Sequence, residues 1–284
     1  MKYTFGIVLS CVATTYAQIR DVAVECERLG YDSIWLNDHM YPGWGAYERH
    51  IRPYFDAWTT LPALAVDTKT IRVGTMVTSN TFRHPALLAK MSTTLDIISE
   101  GRLELGIGAG DLPIEHETYG IEYPPDGERI NRLREALQIL IHMWTEDKPR
   151  FKGKYYEIKE PPLFPKPLQK PHPPIWIGSI EGRRRIVKLA ADYANNFNIL
   201  AGTPETYREK MENLEKYCRQ IGRDPKEIRR SWHGFATVTE DPKTVEDTVK
   251  NLKAMADAGV QDFILGVDVK ALKPFAEHVF PAFK

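Results

Sequence analysis

The chain has 284 residues, of which 43% are hydrophobic and 27% are charged. These are ordinary values for a globular protein, and they exclude a disordered or fibrous chain. Lysine plus arginine and aspartate plus glutamate both number 38, so no overall electrostatic field would recruit nucleic acid or an anionic membrane, and we expect neither as a partner.

The cysteines and the N-terminal segment bear on the cellular compartment. Cys11, Cys26 and Cys218 are widely spaced and include no Cys-x-x-Cys pair, which argues against a disulfide framework and against a zinc site. The first apolar run is too short for a signal peptide, and no apolar stretch approaches the roughly 20 residues that cross a bilayer. We therefore expect a cytoplasmic protein that holds no metal.

Four β-α units are predicted in the first half of the chain. Short apolar or β-branched runs predict strands over Lys2–Leu9, Ser33–Leu36, Thr70–Thr78 and Arg102–Ile107. Apolar residues at helical spacing follow each strand and predict helices over about 19–29, 56–67, 85–98 and 126–144. Pro85 is expected to open the third helix and Asp126 to cap the fourth.

Residues 151–174 differ from the rest of the chain in composition. This segment contains seven prolines, and proline at that density excludes a helix and confines strands to sheet edges. We expect an insertion made of a small hairpin and an extended strap packed on the main body.

Four further units complete the chain. The expected strands are Ile175–Gly178, Asn195–Leu200, Arg230–Val238 and Asp262–Leu265, and the expected helices are Gly182–Ala191, Pro204–Gln220, Pro242–Ala256 and Val269–Phe280. Eight strands that each precede a helix predict an α/β fold, a (β/α)8 TIM barrel, as one domain over residues 1–284 with the insertion after the fourth unit. An open doubly wound sheet is the alternative.

The second predicted strand ends in three polar side chains. Asn37, Asp38 and His39 directly follow the apolar run Ser33–Leu36, and the carboxyl ends of barrel strands are where active sites form. A histidine there titrates near neutrality and can give or take a proton. His39 could equally be a hydrogen-bonded loop residue, and Asp38 could be a turn cap.

The segment Gly106–Gly110 has the spacing Gly-x-Gly-x-Gly. Since Pro113 follows closely, we expect no helix behind it and no pyrophosphate site of the dinucleotide type. Gly108 would let a flat molecule approach the backbone closely, with Asp111 beside it. A merely flexible loop is the alternative.

A candidate anion site follows the fifth predicted strand. Gly178, Ser179 and Gly182 offer free amides and a hydroxyl at the expected start of a helix, and Arg183 follows. The alternative is a plain β-α connection. A polar run also ends the third strand at the same rim, with Thr78, Ser79 and Asn80.

Three segments together resemble the bacterial luciferase-like superfamily, and within it the deazaflavin-dependent oxidoreductase branch. They are Ile34–Tyr41, Val73–Met91 and Ile98–Gly110, and the later run Pro173–Ser179 also fits. The resemblance implies a (β/α)8 barrel that binds coenzyme F420, a 5-deazaflavin with a phosphate and an oligoglutamate tail. It also implies a homodimer, since barrels of this family usually pair through helices on one side.

The resemblance also implies roles for particular residues. His39 would lie over the deazaflavin ring as proton donor or acceptor, and Asp38 would contact the hydroxyl end of the ring. A cis peptide bond that does not involve proline would fall at Ser79–Asn80, behind the ring. The residues expected to bind the coenzyme are Asp38, Thr78, Ser79, Asn80, Gly108, Asp111, Gly178, Ser179, Gly182 and Arg183.

The implied activity is hydride transfer between coenzyme F420 and a small organic substrate. A monooxygenase that uses flavin mononucleotide (FMN) and dioxygen is the alternative within the fold. A glycoside hydrolase would need Asp38 or Asp111 to act with Glu104, but Glu104 lies inside an apolar strand. A barrel that binds a flavin-like ligand without turnover is the alternative that is not an enzyme. At Asp111 and Leu112 the chain departs from the aromatic residue and amide of its relatives, which leaves the substrate open.

Overall fold

The computed structural model describes residues 3–9, 11, 15–40, 53–180, 182 and 184–283. In these ranges the strands are β1 (Thr4–Leu9), β2 (Ser33–Leu36), β3 (Arg72–Thr75), β4 (Thr78–Ser79), β5 (Leu103–Gly108), β6 (Arg150–Lys152), β7 (Glu157–Lys159), β8 (Ile175–Ser179), β9 (Asn196–Leu200), β10 (Arg229–Phe235) and β11 (Asp262–Gly266). The helices are α1 (Tyr16–Leu29), α2 (Ala57–Asp67), α3 (Pro85–Ile98), α4 (Pro113–Tyr119), α5 (Asp126–Thr145), α6 (Arg184–Tyr193), α7 (Pro204–Gln220), α8 (Pro242–Asp257) and α9 (Leu272–His278).

Nine of these strands form one parallel sheet that closes on itself. β1 pairs with β2 on one side and with β11 on the other, and the order continues through β10, β9, β8 and β5. β3 and β4 are two halves of one barrel strand, since both pair with β5. The barrel therefore has eight strand positions, which confirms the predicted (β/α)8 fold.

The third barrel strand is interrupted where the sequence predicted it to be continuous. The chain leaves the sheet after β3, makes a cis peptide bond between Met76 and Val77, and rejoins the sheet in β4. The cis bond expected at Ser79–Asn80 is therefore misplaced. Ser79 is paired with Gly108 in the parallel ladder, and the backbone amide of Asn80 donates to the Gly108 carbonyl at 3.0 Å. This part of the chain therefore continues the regular pairing.

Two layers of side chains fill the barrel below its mouth. Near the amino ends of the strands, the Trp176 indole donates to the Glu104 carboxylate at 2.6 Å, and the side-chain amide of Asn196 donates to the Asp262 carboxylate at 2.6 Å. A small apolar cluster packs beside these polar side chains and consists of Trp35, Met76, Trp176 and Ile264. The two indole rings have centroids 4.5 Å apart. These layers close the barrel, so a ligand at the mouth would rest on a solid floor.

The chain between α5 and β8 carries an antiparallel hairpin. β6 and β7 pair around the short turn after Lys152, and extended chain follows them to β8. Glu135 on α5 anchors the turn, because its carboxylate accepts from the amides of Lys154, Tyr155 and Tyr156 at 2.7 to 3.0 Å.

The C-terminal helix is shorter than the predicted Val269–Phe280. A 3-10 turn over Val269–Ala271 precedes α9, and a second 3-10 turn follows it over Phe280–Phe283. Pro274 explains the start of α9, since proline lacks an amide hydrogen and is tolerated only in the first turn of a helix. Within the described ranges, no helix combines the length and the apolar character that crossing a membrane requires.

Candidate active site

His39 is paired with a buried carboxylate at the rim of the barrel. His39 Nδ1 lies 3.0 Å from Glu115 Oε2, and the Met40 amide donates to Glu115 Oε1 at 2.8 Å. The Glu115 side chain is 1% exposed and that of His39 is 17% exposed. Because both carboxylate oxygens are engaged, Glu115 fixes the plane of the imidazole and leaves Nε2 as the nitrogen that can exchange a proton with a ligand.

Glu115 comes from a helix that was not predicted from the sequence. α4 begins at Pro113, directly behind the glycine segment, so the expectation that no helix follows this segment is wrong. Proline is favoured in the first turn of a helix because its missing amide hydrogen has no partner there. Pro113 therefore starts the helix, and Glu115 and His116 are its buried residues.

The surroundings of His39 raise its pKa above the ordinary value. Burial alone would lower the pKa, but the hydrogen bond and the charge of Glu115, together with the charges of Asp111 and Asp38, outweigh this effect. Burial raises the pKa of Asp111, and the nearby His39 opposes that rise. The site therefore holds a histidine that keeps its proton to higher pH than a free imidazole.

Replacing Glu115 by glutamine should lower the pKa of His39, since the hydrogen bond would remain and the negative charge would be lost. The folded state now holds the His39 proton more tightly than the unfolded chain does. The pair therefore stabilises the fold at acid pH, and this contribution is lost as the pH rises through the pKa of folded His39. A nitrogen-15 NMR titration of the His39 ring in the Glu115→Gln variant measures the change directly.

Glu117→Gln is the matched control for this titration. Glu117 lies on the same helix and is exposed, so its loss removes the same charge without touching the imidazole. An unchanged His39 titration in Glu115→Gln, or an equal change in both variants, would contradict the role of Glu115.

Asp38 is buried in an ion pair with Arg83. Its side chain is 3% exposed, and Arg83 Nη2 donates to Asp38 Oδ1 at 3.0 Å while Nη1 contacts the other oxygen. The Thr78 hydroxyl also donates to this carboxylate, and the indole of Trp58 on α2 donates to Thr78 at 3.0 Å. These contacts hold the carboxylate against the strand ends and α2, so both of its oxygens already have protein partners.

Val77 and three glycines shape the floor of the mouth. A Cβ atom added at Gly108 would lie 2.9 Å from Val77 Cγ2, and one added at Gly178 would lie 2.8 Å from Val77 Cγ1. One added at Gly106 would lie 3.1 Å from Val77 Cγ1 and only 1.9 Å from the Thr75 carbonyl oxygen. The glycines therefore make room for Val77, which the break between β3 and β4 turns toward the neighbouring strands. These three glycines and Val77 therefore pack closely at the carboxyl ends of the strands, and we call them the floor of the mouth.

Two amide side chains at the strand ends have an unused oxygen. Asn37 Oδ1 and Asn80 Oδ1 are buried and have no hydrogen-bond partner among the described residues. Asn37 directly follows β2, and Asn80 directly follows β4. A buried polar atom without a partner costs free energy, and a polar ligand at the mouth would supply the missing partner.

A chain of hydroxyl and imidazole groups runs behind the glycine segment. The hydroxyls of Ser79 and Thr81 lie 2.6 Å apart, and Thr81 lies 2.6 Å from His116 Nε2. His116 Nδ1 is 2.8 Å from the Leu112 carbonyl, so this buried histidine ties α4 to the third barrel strand. His84, by contrast, caps α3 by accepting from the Ala86 amide at 3.2 Å.

The predicted anion loop lies at the end of β8. The Ser179 hydroxyl accepts from the Gly182 amide at 2.8 Å, so this turn uses the amide internally, and the expectation that the Gly182 amide is free for an anion is wrong. The stem of Lys210 on α7 crosses this turn, because a Cβ atom at Gly182 would lie 2.7 Å from Lys210 Cδ. Arg183 lies outside the described residues, and α6 begins at Arg184 rather than at Gly182.

The opposite wall of the mouth is formed by the ends of β9, β10 and β11. Side chains alternate along a strand, so Leu200 and His233 continue the inward rows that begin with Asn198 and Ser231, which are hydrogen-bonded to each other at 3.0 Å. Burial lowers the pKa of His233 to about 4, so this imidazole is neutral near pH 7. Phe235 is 78% exposed at the rim.

Several residues that shape the site could not be identified from the sequence. Glu115 was not identified, although a proline two residues earlier signals a helix start. Arg83 lies inside the family-like segment Val73–Met91, but no neighbouring residue in the sequence identifies Asp38 as its partner. Lys210 and His233 are distant in sequence from every motif, and only the closure of the barrel brings them to the mouth.

Comparison with known proteins agrees with this architecture. The chain matches the family model for luciferase-like monooxygenase over residues 4–279. It is 35% identical to an F420-dependent glucose-6-phosphate dehydrogenase of Amycolatopsis mediterranei (strain U-32) over 67% of this chain and 56% of that protein. The alignment thus spans little more than half of this relative's length.

Two solved structures resemble the whole chain. An F420-dependent secondary alcohol dehydrogenase in complex with an F420-acetone adduct superposes with a TM-score of 0.87 over 100% of both chains, at 23% identity. The coenzyme F420 dependent tetrahydromethanopterin reductase from Methanopyrus kandleri gives a TM-score of 0.86, again over 100% of both chains, at 19% identity. At these identities the likeness shows the fold, whereas the family model spans nearly the whole sequence. The chain belongs to the luciferase-like monooxygenase family.

Proposed function

We propose that the protein is an F420-dependent oxidoreductase that transfers a hydride between the coenzyme and a small uncharged organic substrate. The observation that carries this proposal is the His39–Glu115 pair at the rim of a glycine-lined barrel mouth. The sequence relative and the two solved structures described above, which are all named as F420-dependent, support the choice of coenzyme.

The residues at the mouth fit a flat ring with a polar edge and a phosphate. Gly108, Gly178 and Val77 would lie under the ring, because the glycines lack a side chain and let a flat group approach the backbone closely. The unpartnered amide oxygens of Asn37 and Asn80 would accept hydrogen bonds from its polar edge. The Ser179 hydroxyl, which can still donate a hydrogen bond, and the cation of Lys210, whose stem lies against Gly182, would hold the phosphate.

When bound, the coenzyme supplies the carbon that accepts or gives the hydride. The chain supplies the proton chemistry and the positioning. His39 Nε2 takes the hydroxyl proton when an alcohol is oxidised and returns it when a carbonyl is reduced, while Glu115 holds the imidazole in place and stabilises its protonated form. The buried indoles of Trp35 and Trp176 pack against each other in the interior of the barrel.

The far wall of the mouth supports an uncharged substrate. The described residues that end the sixth, seventh and eighth barrel strands on the inner side are Leu200, His233, Phe235 and Gly266, and none of these is a lysine or arginine. His233 is neutral near pH 7, so it can donate or accept one hydrogen bond without adding charge. A small alcohol or carbonyl compound suits this wall better than a sugar phosphate does.

Titration with purified coenzyme F420 and with FMN tests the proposal. We expect coenzyme F420 to bind at micromolar or lower concentration, seen as quenching of protein fluorescence, and to be reduced by small secondary alcohols much faster than by glucose 6-phosphate. Binding of FMN alone, with oxygen uptake, would support the monooxygenase instead. Binding of neither ring would overturn the proposal, and rapid turnover of glucose 6-phosphate would overturn its substrate class.

A further inference from the structure

A groove between α6 and α7 opens directly beside the anion loop. Its volume is about 360 Å3, which lies at the lower end of the roughly 300 to 1,000 Å3 that is typical of small-ligand sites. It is lined by Gly182, Arg184, Val187, Asn213, Lys216 and Tyr217. Gly182 therefore belongs both to the loop and to the groove, so a molecule anchored at the loop can continue into the groove.

Among the described residues that line the groove, two carry a positive charge and none carries a carboxylate. Arg184 Nε donates to the Tyr217 hydroxyl at 2.7 Å, and Lys188 Nζ lies 5.1 Å from the centre of the Tyr217 ring on the same side of the domain. Within the described part of the chain, neither Lys210 nor Lys216 forms an ion pair. Arg184, Lys188, Lys210 and Lys216 thus present four cations around one groove.

We propose that this groove binds the acidic oligoglutamate tail of the coenzyme, with Arg184 and Lys216 as its principal partners. The inference rests on the proposed function, because it takes the coenzyme to be F420. In coenzyme F420 a chain of carboxylates extends from the phosphate. The phosphate lies at the turn that ends in Gly182, and the carboxylates contact the lysine and arginine side chains beyond it. FMN ends at its phosphate and has no group that would reach this groove.

The affinities of deazaflavins that differ only in the tail test this inference. We would measure dissociation constants by fluorescence quenching for the ring without a phosphate, for the coenzyme with one glutamate, and for the coenzyme with several. Affinity should increase with the number of glutamates, and Lys216→Glu and Arg184→Glu should each weaken the long-tailed form by roughly three- to tenfold, as expected for solvent-exposed ion pairs replaced by repulsion. The same variants should change the affinity for the tailless ring by less than about twofold.

Arg208→Glu is the matched control. Arg208 is exposed on α7 but does not line the groove, so the substitution makes the same change in net charge and should leave the dependence on tail length intact. Raising the salt concentration should reduce the advantage of the long tail in the unmodified protein, since exposed charges are screened over roughly 10 Å at 0.1 M.

The outcomes separate this inference from the proposed function. If the ring and both coenzyme forms bind with equal affinity, or if Arg208→Glu weakens the long-tailed form as much as Lys216→Glu does, the groove is not the tail site, although the F420 assignment stands. If no deazaflavin binds at all, the proposed function fails and this inference fails with it.

Discussion

His39→Ala should reduce turnover by roughly 100- to 10,000-fold, the range expected when a general acid or base is removed. The imidazole is the titratable group that Glu115 holds at the rim of the mouth, with Nε2 left to exchange a proton. Alanine can neither accept the alcohol proton nor return it to a carbonyl. The measurement is the steady-state rate of deazaflavin reduction with a secondary alcohol, with kcat and KM determined separately.

The loss should appear mainly in kcat, because the floor made by Gly108, Gly178 and Val77 does not involve His39. The coenzyme dissociation constant should therefore change by less than about tenfold, a difference of 1.4 kcal/mol. His278→Ala is a suitable control, since His278 is exposed at the end of α9. Equal kcat values in His39→Ala and the unmodified protein would remove His39 from the reaction.

The pH dependence of the same rate separates proton transfer from a structural role. In the direction of alcohol oxidation His39 must be neutral, so the rate should rise as the pH increases through its raised pKa. In the direction of carbonyl reduction the rate should fall over the same interval. A profile that is identical in both directions would indicate that another group carries the proton.

The order of strands and helices could be predicted because it depends on local patterns. Apolar runs such as Ser33–Leu36 and helical spacing such as that after Pro204 are properties of a few neighbouring residues, and the barrel follows from their alternation. The break after Thr75 could not be predicted in this way. Its position is set by the pairing of Thr78 and Ser79 with β5, a contact between residues that are far apart in sequence.

The same distinction between local patterns and tertiary contacts applies to the residues of the candidate site. His39 and Gly178 were found because a polar residue or glycine at the end of an apolar strand is a local signal. Their partners were not, since the charge of Glu115 acts on His39 across 76 sequence positions and Lys210 reaches Gly182 only after α7 packs on α6. Sequence reasoning thus located the rim of the barrel, whereas the protonation state of its histidine depends on tertiary contacts.

The second large effect concerns stability. Arg83→Leu should lower the free energy of unfolding by about 3 kcal/mol, toward the low end of the roughly 3 to 5 kcal/mol that breaking a buried ion pair costs. The variant leaves the Asp38 carboxylate 3% exposed and without its cation, although Thr78 still donates one hydrogen bond. Urea denaturation followed by circular dichroism at pH 7 measures the loss.

A second substitution tests whether the loss of stability comes from the buried Asp38 carboxylate that lacks its cation. Asp38→Asn in the Arg83→Leu background should recover much of the stability, because burying a neutral amide costs less free energy than burying an unpaired carboxylate.

The pH dependence of the stability gives an independent check. Burial raises the pKa of Asp38, and Arg83 opposes that rise, so the pKa of Asp38 should rise further in Arg83→Leu. The deficit should be complete above that pKa and should shrink as the pH falls and Asp38 takes up a proton. A loss of stability below about 1 kcal/mol, or one that does not vary with pH, would mean that Arg83 does not stabilise the buried charge of Asp38.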